Sequence, residues 1–115
     1  MTNPDIRHRF RAMIHTVFFW LKEDLSEADR ATFESELKRL PEIDYLDFGK
    51  VGKPADTAER PVTDHSFDFS LVLSFKTMED HDRYQTNDAA HDRFINTCKE
   101  FWERVVVYDT EVLAG

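Results

Sequence analysis

The stretch from Ala12 to Leu21 is rich in Ile, Val, Phe, Trp and Thr and is largely apolar whichever way an extended chain is turned. β-Branched and aromatic side chains of this kind suit a pleated strand. Alternation sorts Met13, His15, Val17, Phe19 and Leu21 onto one face and Ile14, Thr16, Phe18 and Trp20 onto the other. A strand with two largely apolar faces has to be covered on both. The domain's own helices supply one cover. In a chain of 115 residues the other is expected from a second copy, so a homodimer is predicted.

The remaining elements follow from local signals. Ser26 reads as an N-cap with acids in the next turn, and Phe33, Leu37 and Leu40 make the inward stripe of a helix that Pro41 ends. Glu34 and Lys38 pair across one turn of its outer side. Tyr45–Val51 reads as a second strand, with Leu46 and Phe48 on one face, and Phe67–Phe75 as a third with clear alternation. Between them, residues 52–66 show no periodicity; a loop of this length is expected to be a lid, a binding loop or an excursion. Thr77 and Asp80 open a short helix ending near Gln85. Asp88 caps a long helix running to about Arg104, on which His91, Phe94, Ile95, Cys98, Phe101, Trp102 and Val105 recur at spacings of three and four. Val105–Val112 is the last strand. The order β-α-β-β-α-α-β predicts an α+β, ferredoxin-like sandwich with helices on one face of a mainly antiparallel sheet.

Charge excludes some partners. Fifteen basic and 23 acidic side chains leave a net −8, which argues against a nucleic-acid or anionic-membrane binder. Residues 1–12 run the other way, with Arg7, Arg9 and Arg11 against Asp5, and read as a solvated N-terminal extension. No apolar run approaches a membrane span, and no signal-peptide pattern opens the chain, so a cytoplasmic location is expected. The single cysteine, Cys98, sits on the apolar stripe and is expected to pack as a small hydrophobe.

Met13-Ile14-His15-Thr16-Val17, Tyr84 followed by Ala90-His91 and Phe94, and Phe101-Trp102-Glu103 leading into Val105-Val106-Val107-Tyr108-Asp109 together resemble the stress-responsive α/β-barrel (Dabb) family. The resemblance covers about residues 13–112. It implies a ferredoxin-like protomer that dimerises sheet on sheet into an α/β barrel, with the domain at 13–115 and residues 1–12 as an N-terminal extension. A plant member of the family, a polyketide cyclase, lines its pocket with a histidine on the first strand, a tyrosine and a histidine opening the long helix. The matching positions are His15, Tyr84 and His91. The turn before the helix histidine departs from the family's His-Pro-x-His: here it is Asn87-Asp88-Ala89-Ala90-His91.

His91 is the leading site candidate. A helix N-terminus favours the neutral imidazole, and a neutral ring can take a proton from carbon or oxygen at pH 7. Asp88 acts in the opposite sense, and the alternative is a core histidine bonded to the loop. Tyr84 can donate to a carbonyl or enolate oxygen, or simply bury its ring. His15 shares a cavity with His91 if its face meets the helices; otherwise it is a histidine satisfied at a strand end. Phe19, Phe67, Phe69, Phe75, Phe94, Phe101 and Trp102, mostly inward by period, are the side chains that would fill such a cavity. His65 and His81 lie in acidic segments and are expected on a solvated surface, without metal-ligand spacing. No phosphate loop, serine elbow or dinucleotide fingerprint is present, so no cofactor is expected. Three functions fit: a Dabb-domain protein binding a small apolar molecule near His91; a polyketide-cyclase-like or lyase-type enzyme with His91 as general base; or a dimeric-barrel monooxygenase working on a quinol or haem.

Overall fold

The computed structural model describes residues 11–115. Most of the extension expected over residues 1–12 lies outside the described residues. Among the described residues, four strands and three α-helices follow one another as β1 (Met13–Leu21), α1 (Glu27–Leu37), β2 (Phe48–Gly52), β3 (Phe69–Phe75), α2 (Met78–Thr86), α3 (Ala89–Cys98) and β4 (Trp102–Glu111). A 3-10 turn at Leu40–Glu42 takes Pro41 into its first positions. The sheet is antiparallel throughout, in the order β2-β3-β1-β4. This is the ferredoxin-like α+β arrangement expected from the element order. Among the described residues no helix is long and apolar enough to cross a membrane.

The central strand shows the two faces read from its sequence. Met13, His15, Val17, Phe19 and Leu21 are buried, while the residues between them are half-buried. The buried face carries the core: Phe33 and Leu37 of α1, Leu71, Leu73 and Phe75 of β3, Tyr84 of α2, and Phe94 and Cys98 of α3 join it. All three helices therefore lie on one side. Their starts are fixed by the expected caps: Ser26 Oγ accepts from Asp29 N at 3.0 Å, Thr77 Oγ1 from Asp80 N at 3.2 Å, and Asp88 Oδ1 from His91 N at 2.9 Å. Lys38 Nζ donates to Glu34 Oε2 at 3.0 Å, as the spacing predicts. Between helices, the Arg93 guanidinium of α3 grips both carboxylate oxygens of Glu36 on α1 at 3.1 and 3.0 Å.

The other sheet face is partly clad by the chain itself. Phe67 stacks edge-on against Phe18 with centroids 4.9 Å apart, Trp20 Nε1 donates to Ser66 Oγ at 3.0 Å, and the Arg104 guanidinium lies 4.3 Å from the Trp20 ring centre. Asp68 holds this corner, accepting from Leu21 N at 2.7 Å and from Arg30 Nη2 at 3.1 Å. Tyr108 and Phe48 remain 61% and 45% exposed.

Three readings need correction. The third helix stops at Cys98, not near Arg104, and Trp102 and Val105 belong to β4. Sheet bonding decides this: Lys22 N donates to Phe101 O at 3.0 Å and Leu21 pairs with Trp102. The register then slips, so that Trp20 pairs with Arg104 and Phe19 with Val105. Glu103 is the extra residue of a bulge, which keeps Trp102 and Val105 on the same face although three positions apart. A bulged strand thus imitated a helical spacing. Second, β3 begins at Phe69, and Phe67 packs on the opposite face against Phe18 rather than inward. Third, Leu46 packs on the core while Phe48, at the start of β2, is exposed.

Gly49 sits where β2 crosses the 3-10 turn. A Cβ there would lie 3.0 Å from Pro41 Cα and 3.0 Å from Leu73 Cδ2, whereas at Gly52 it would meet only Ser70 Oγ at 3.3 Å. Gly49→Ala is expected to lower unfolding free energy by about 1–3 kcal/mol, the usual cost of overpacking. Gly52→Ala should be nearly neutral. Urea denaturation of the pair checks the contrast.

Candidate functional site

His15, Tyr84 and His91 come from β1, α2 and α3, and the fold brings all three to one cavity. It measures about 200 Å³ and lies between the helices and the buried sheet face. Val17, Phe19, Leu71, Phe94, Trp102 and Val105 supply much of its apolar wall. Three aromatics expected to fill the space therefore line it. None of residues 53–66 is among the lining residues. That loop runs to Ser66 and Phe67 on the opposite face.

His91 is the third residue of α3, its backbone N–H held by the Asp88 carboxylate. Its ring lies 4.3 Å from the Tyr84 ring, tilted by 38°. The altered Asn87–His91 turn thus leaves tyrosine and histidine in contact. Burial lowers the His91 pKa from its ordinary 6.5, against the pull of the Asp92 and Asp88 carboxylates, so the neutral ring is favoured. Burial likewise raises the Tyr84 hydroxyl above its ordinary 10.0, reinforced by the Asp88 charge, and keeps it a protonated donor. Asp88 is the hub of this corner. Burial alone would push its carboxyl up, but the Tyr45 hydroxyl at 2.5 Å and the backbone N–H groups of His91 and Ala90 together hold it below the ordinary 3.8. Arg83 stacks over the Tyr45 ring at 4.1 Å and closes the cluster from outside.

His15 is 4% exposed and does not stand alone. Its Nδ1 lies 2.6 Å from Asp109 Oδ1, directly across the β1–β4 pairing. Desolvation lowers its pKa, with Asp109 acting against that. On its other side the ring meets Tyr84 edge-on at 5.6 Å and His81 at 5.3 Å.

His81 overturns its expectation. Its side chain is 12% exposed, not solvated, and its Nε2 lies 3.9 Å from Asp109 Oδ1. The missed signal is helical: His81 precedes Tyr84 by three residues and so shares its inward face. Asp109 was also missed. It continues the Val105, Val107 alternation of β4, which places a carboxylate on the core side. His15, His81 and Asp109 together offer ligand atoms within 4.8 Å of one another. His65, by contrast, is held in the loop by Thr57 Oγ1 at 2.8 Å. Cys98 is buried and its thiol is pushed up to about 11 by burial, as a packing residue should be.

Comparison with known proteins identifies the family and the fold. The family model described as the stress responsive A/B barrel domain matches residues 13–112. Among solved structures, a hydroxynitrile lyase from Passiflora edulis is similar with TM-score 0.73 and 17% identity, covering 92% of this chain and 97% of that one. A Dabb family protein with a ferredoxin-like fold from Mesorhizobium loti gives TM-score 0.69 and 19% identity, covering 90% and 99%. A dimeric ferredoxin-like protein of unknown function from Bacteroides fragilis gives 0.68 and 20%, covering 88% and 96%. No curated protein gives a significant match.

The Asp88 hub yields a test. Asp88→Ala removes a helix cap and is expected to cost about 1–2 kcal/mol at pH 7. Because the folded carboxyl titrates below 3.8, its contribution is present above that value and is lost as pH falls through the folded pKa. The gap between wild type and variant in urea midpoints should therefore be full at pH 7 and close below pH 3.8.

Proposed function

Since the chain belongs to the stress responsive A/B barrel domain family, we propose that it binds a small, largely apolar molecule with one polar end in the cavity beside His91. The observation that carries this is the lining: an apolar wall whose polar tips are mainly His15, Tyr84 and His91, around about 200 Å³. Apolar cavities of about 150 Å³ accept benzene, so a single-ring or short branched molecule is the right size. The space in one chain, about 200 Å³, is too small for a haem, which tells against the haem form of the monooxygenase reading. Val105→Trp, which fills the cavity from β4, should abolish the thermal stabilisation given by small aromatic aldehydes and ketones. Stabilisation that persists unchanged in that variant would place the ligand elsewhere.

A second reading, a lyase or cyclase acting on a carbonyl compound, is favoured by the Tyr84–His91 contact. In it His91, neutral at pH 7, takes a proton from carbon or hydroxyl while Tyr84 donates to the carbonyl oxygen. The likeness to a protein named as a hydroxynitrile lyase supports the class of reaction and no particular substrate. Against a panel of cyanohydrins and linear polyketides, His91→Ala is expected to lower kcat by about 10²–10⁴ while circular dichroism stays unchanged. Normal turnover by that variant would remove His91 from the chemistry.

The half-covered sheet face supports a homodimer. Phe18, Trp20 and Tyr108 stand on it, and Tyr108 stays 61% exposed in one chain. The dimeric relative from Bacteroides fragilis has the same fold. Light scattering should give twice the 13.6 kDa chain mass, and Tyr108→Glu should shift the protein towards monomer. A wild-type monomer at micromolar concentration would overturn the dimer.

A further inference from the structure

We propose that His15, His81 and Asp109 form a binding site for one divalent transition-metal ion of the zinc class. The three residues come from β1, α2 and β4, and their ligand atoms lie within 4.8 Å of one another. His15 and Asp109 are fixed opposite each other by strand register. His81 is delivered from above by α2, its ring 5.3 Å from that of His15.

The orientation of His81 is the decisive feature. Its Nδ1 faces Asp82 Oδ1 at 3.3 Å; with the ring proton donated there, Nε2 is left as the acceptor that a metal ion needs. That Nε2 is buried, has no hydrogen-bond partner among the described residues, and lies 3.9 Å from the Asp109 carboxylate. A buried acceptor set against an anion is costly unless something positive lies between them. His15 Nδ1 and Asp109 Oδ1, at 2.6 Å, share a proton on the other side of the same oxygen. A cation between the three groups takes the place of that proton and satisfies the orphaned nitrogen at once.

The donor set selects the ion. Two imidazoles and one carboxylate suit Zn²⁺, Co²⁺, Ni²⁺ or Fe²⁺, whereas Mg²⁺ and Ca²⁺ call for oxygen. Ligand bonds of about 2.0–2.1 Å put neighbouring donor atoms about 3.0–3.4 Å apart. The His15–Asp109 contact must therefore open, and the His81–Asp109 separation close, by less than about 1 Å each, while the two imidazole nitrogens, within 4.8 Å of each other, draw together by up to about 2 Å; side-chain rotation has to supply these shifts. Asp82 is already placed as the outer carboxylate that holds a ligating histidine in register. Three protein ligands leave a coordination position open. Tyr84 lies beside His15, so the open position borders the cavity described above, although the metal site does not depend on what that cavity binds.

The test uses the full-length chain without a tag, stripped of metal by a chelator. Cobalt titration followed by visible d–d absorption, with zinc calorimetry in parallel, should show one ion per chain. His81→Gln and Asp109→Asn should each weaken binding by at least about tenfold, while His65→Ala leaves it unchanged. Absence of a cobalt band, or wild-type affinity in His81→Gln, overturns the site. Should both ligand variants unfold, X-ray absorption on the zinc-loaded wild type decides: two imidazoles in the first shell support the site, and fewer overturn it.

Discussion

The antiparallel pairing of β1 along both of its edges is the constraint on which the other features rest. With β3 on one side and β4 on the other, the strand's alternation is transmitted across the sheet. Every inward residue of β1 then has an inward neighbour: Phe19 beside Val105 and Phe69, Val17 beside Val107 and Leu71, His15 beside Asp109 and Leu73. A one-residue slip would send the whole apolar set to the other face. The register is therefore pinned by burial, and the helices close over a surface already decided.

The same register carries a polar cost into the core. His15 and Asp109 meet because their strands are paired there, the histidine buried and the carboxylate half-exposed at the sheet's edge. Once His15 is 4% exposed, its hydrogen bond to Asp109 is what makes its burial tolerable. Tyr84, His81 and His91 then approach from two short helices whose starts are set by Thr77 and Asp88. Polar groups that the core would normally reject are gathered into one layer, with Asp88, Asp82 and Asp109 around its margin. Such a layer shifts its own titrations, lowering His15 and His91 and raising Tyr84 by burial, a pattern that functional sites share with buried structural networks.

Legibility in the sequence followed the range of the interactions. The caps at Ser26, Thr77 and Asp88 were readable because a cap and its acceptor lie within three residues. The two faces of β1 and the alternation of β3 were readable because a strand repeats every two. The end of α3 was not, because Trp102 and Val105 keep a three-residue spacing through a bulge that only pairing with β1 creates. Phe67 was misassigned for a related reason: it precedes the first paired residue of β3, so its period no longer applies. His15, Tyr84 and His91 were found as a group through family resemblance, and the fold sets them around one cavity.

By itself the sequence determined the order of the elements, the faces of the central strand and the helix starts, since each is a local balance of side-chain shape, solvation and backbone bonding. Tertiary structure alone decided that His81 leaves the acidic surface and joins His15 and Asp109, partners separated by 94 positions along the chain. It decided equally that a space remains open beneath Phe94 and Trp102. Both depend on how finished elements stack, and no spacing within a helix or strand encodes the distance between two that are not neighbours.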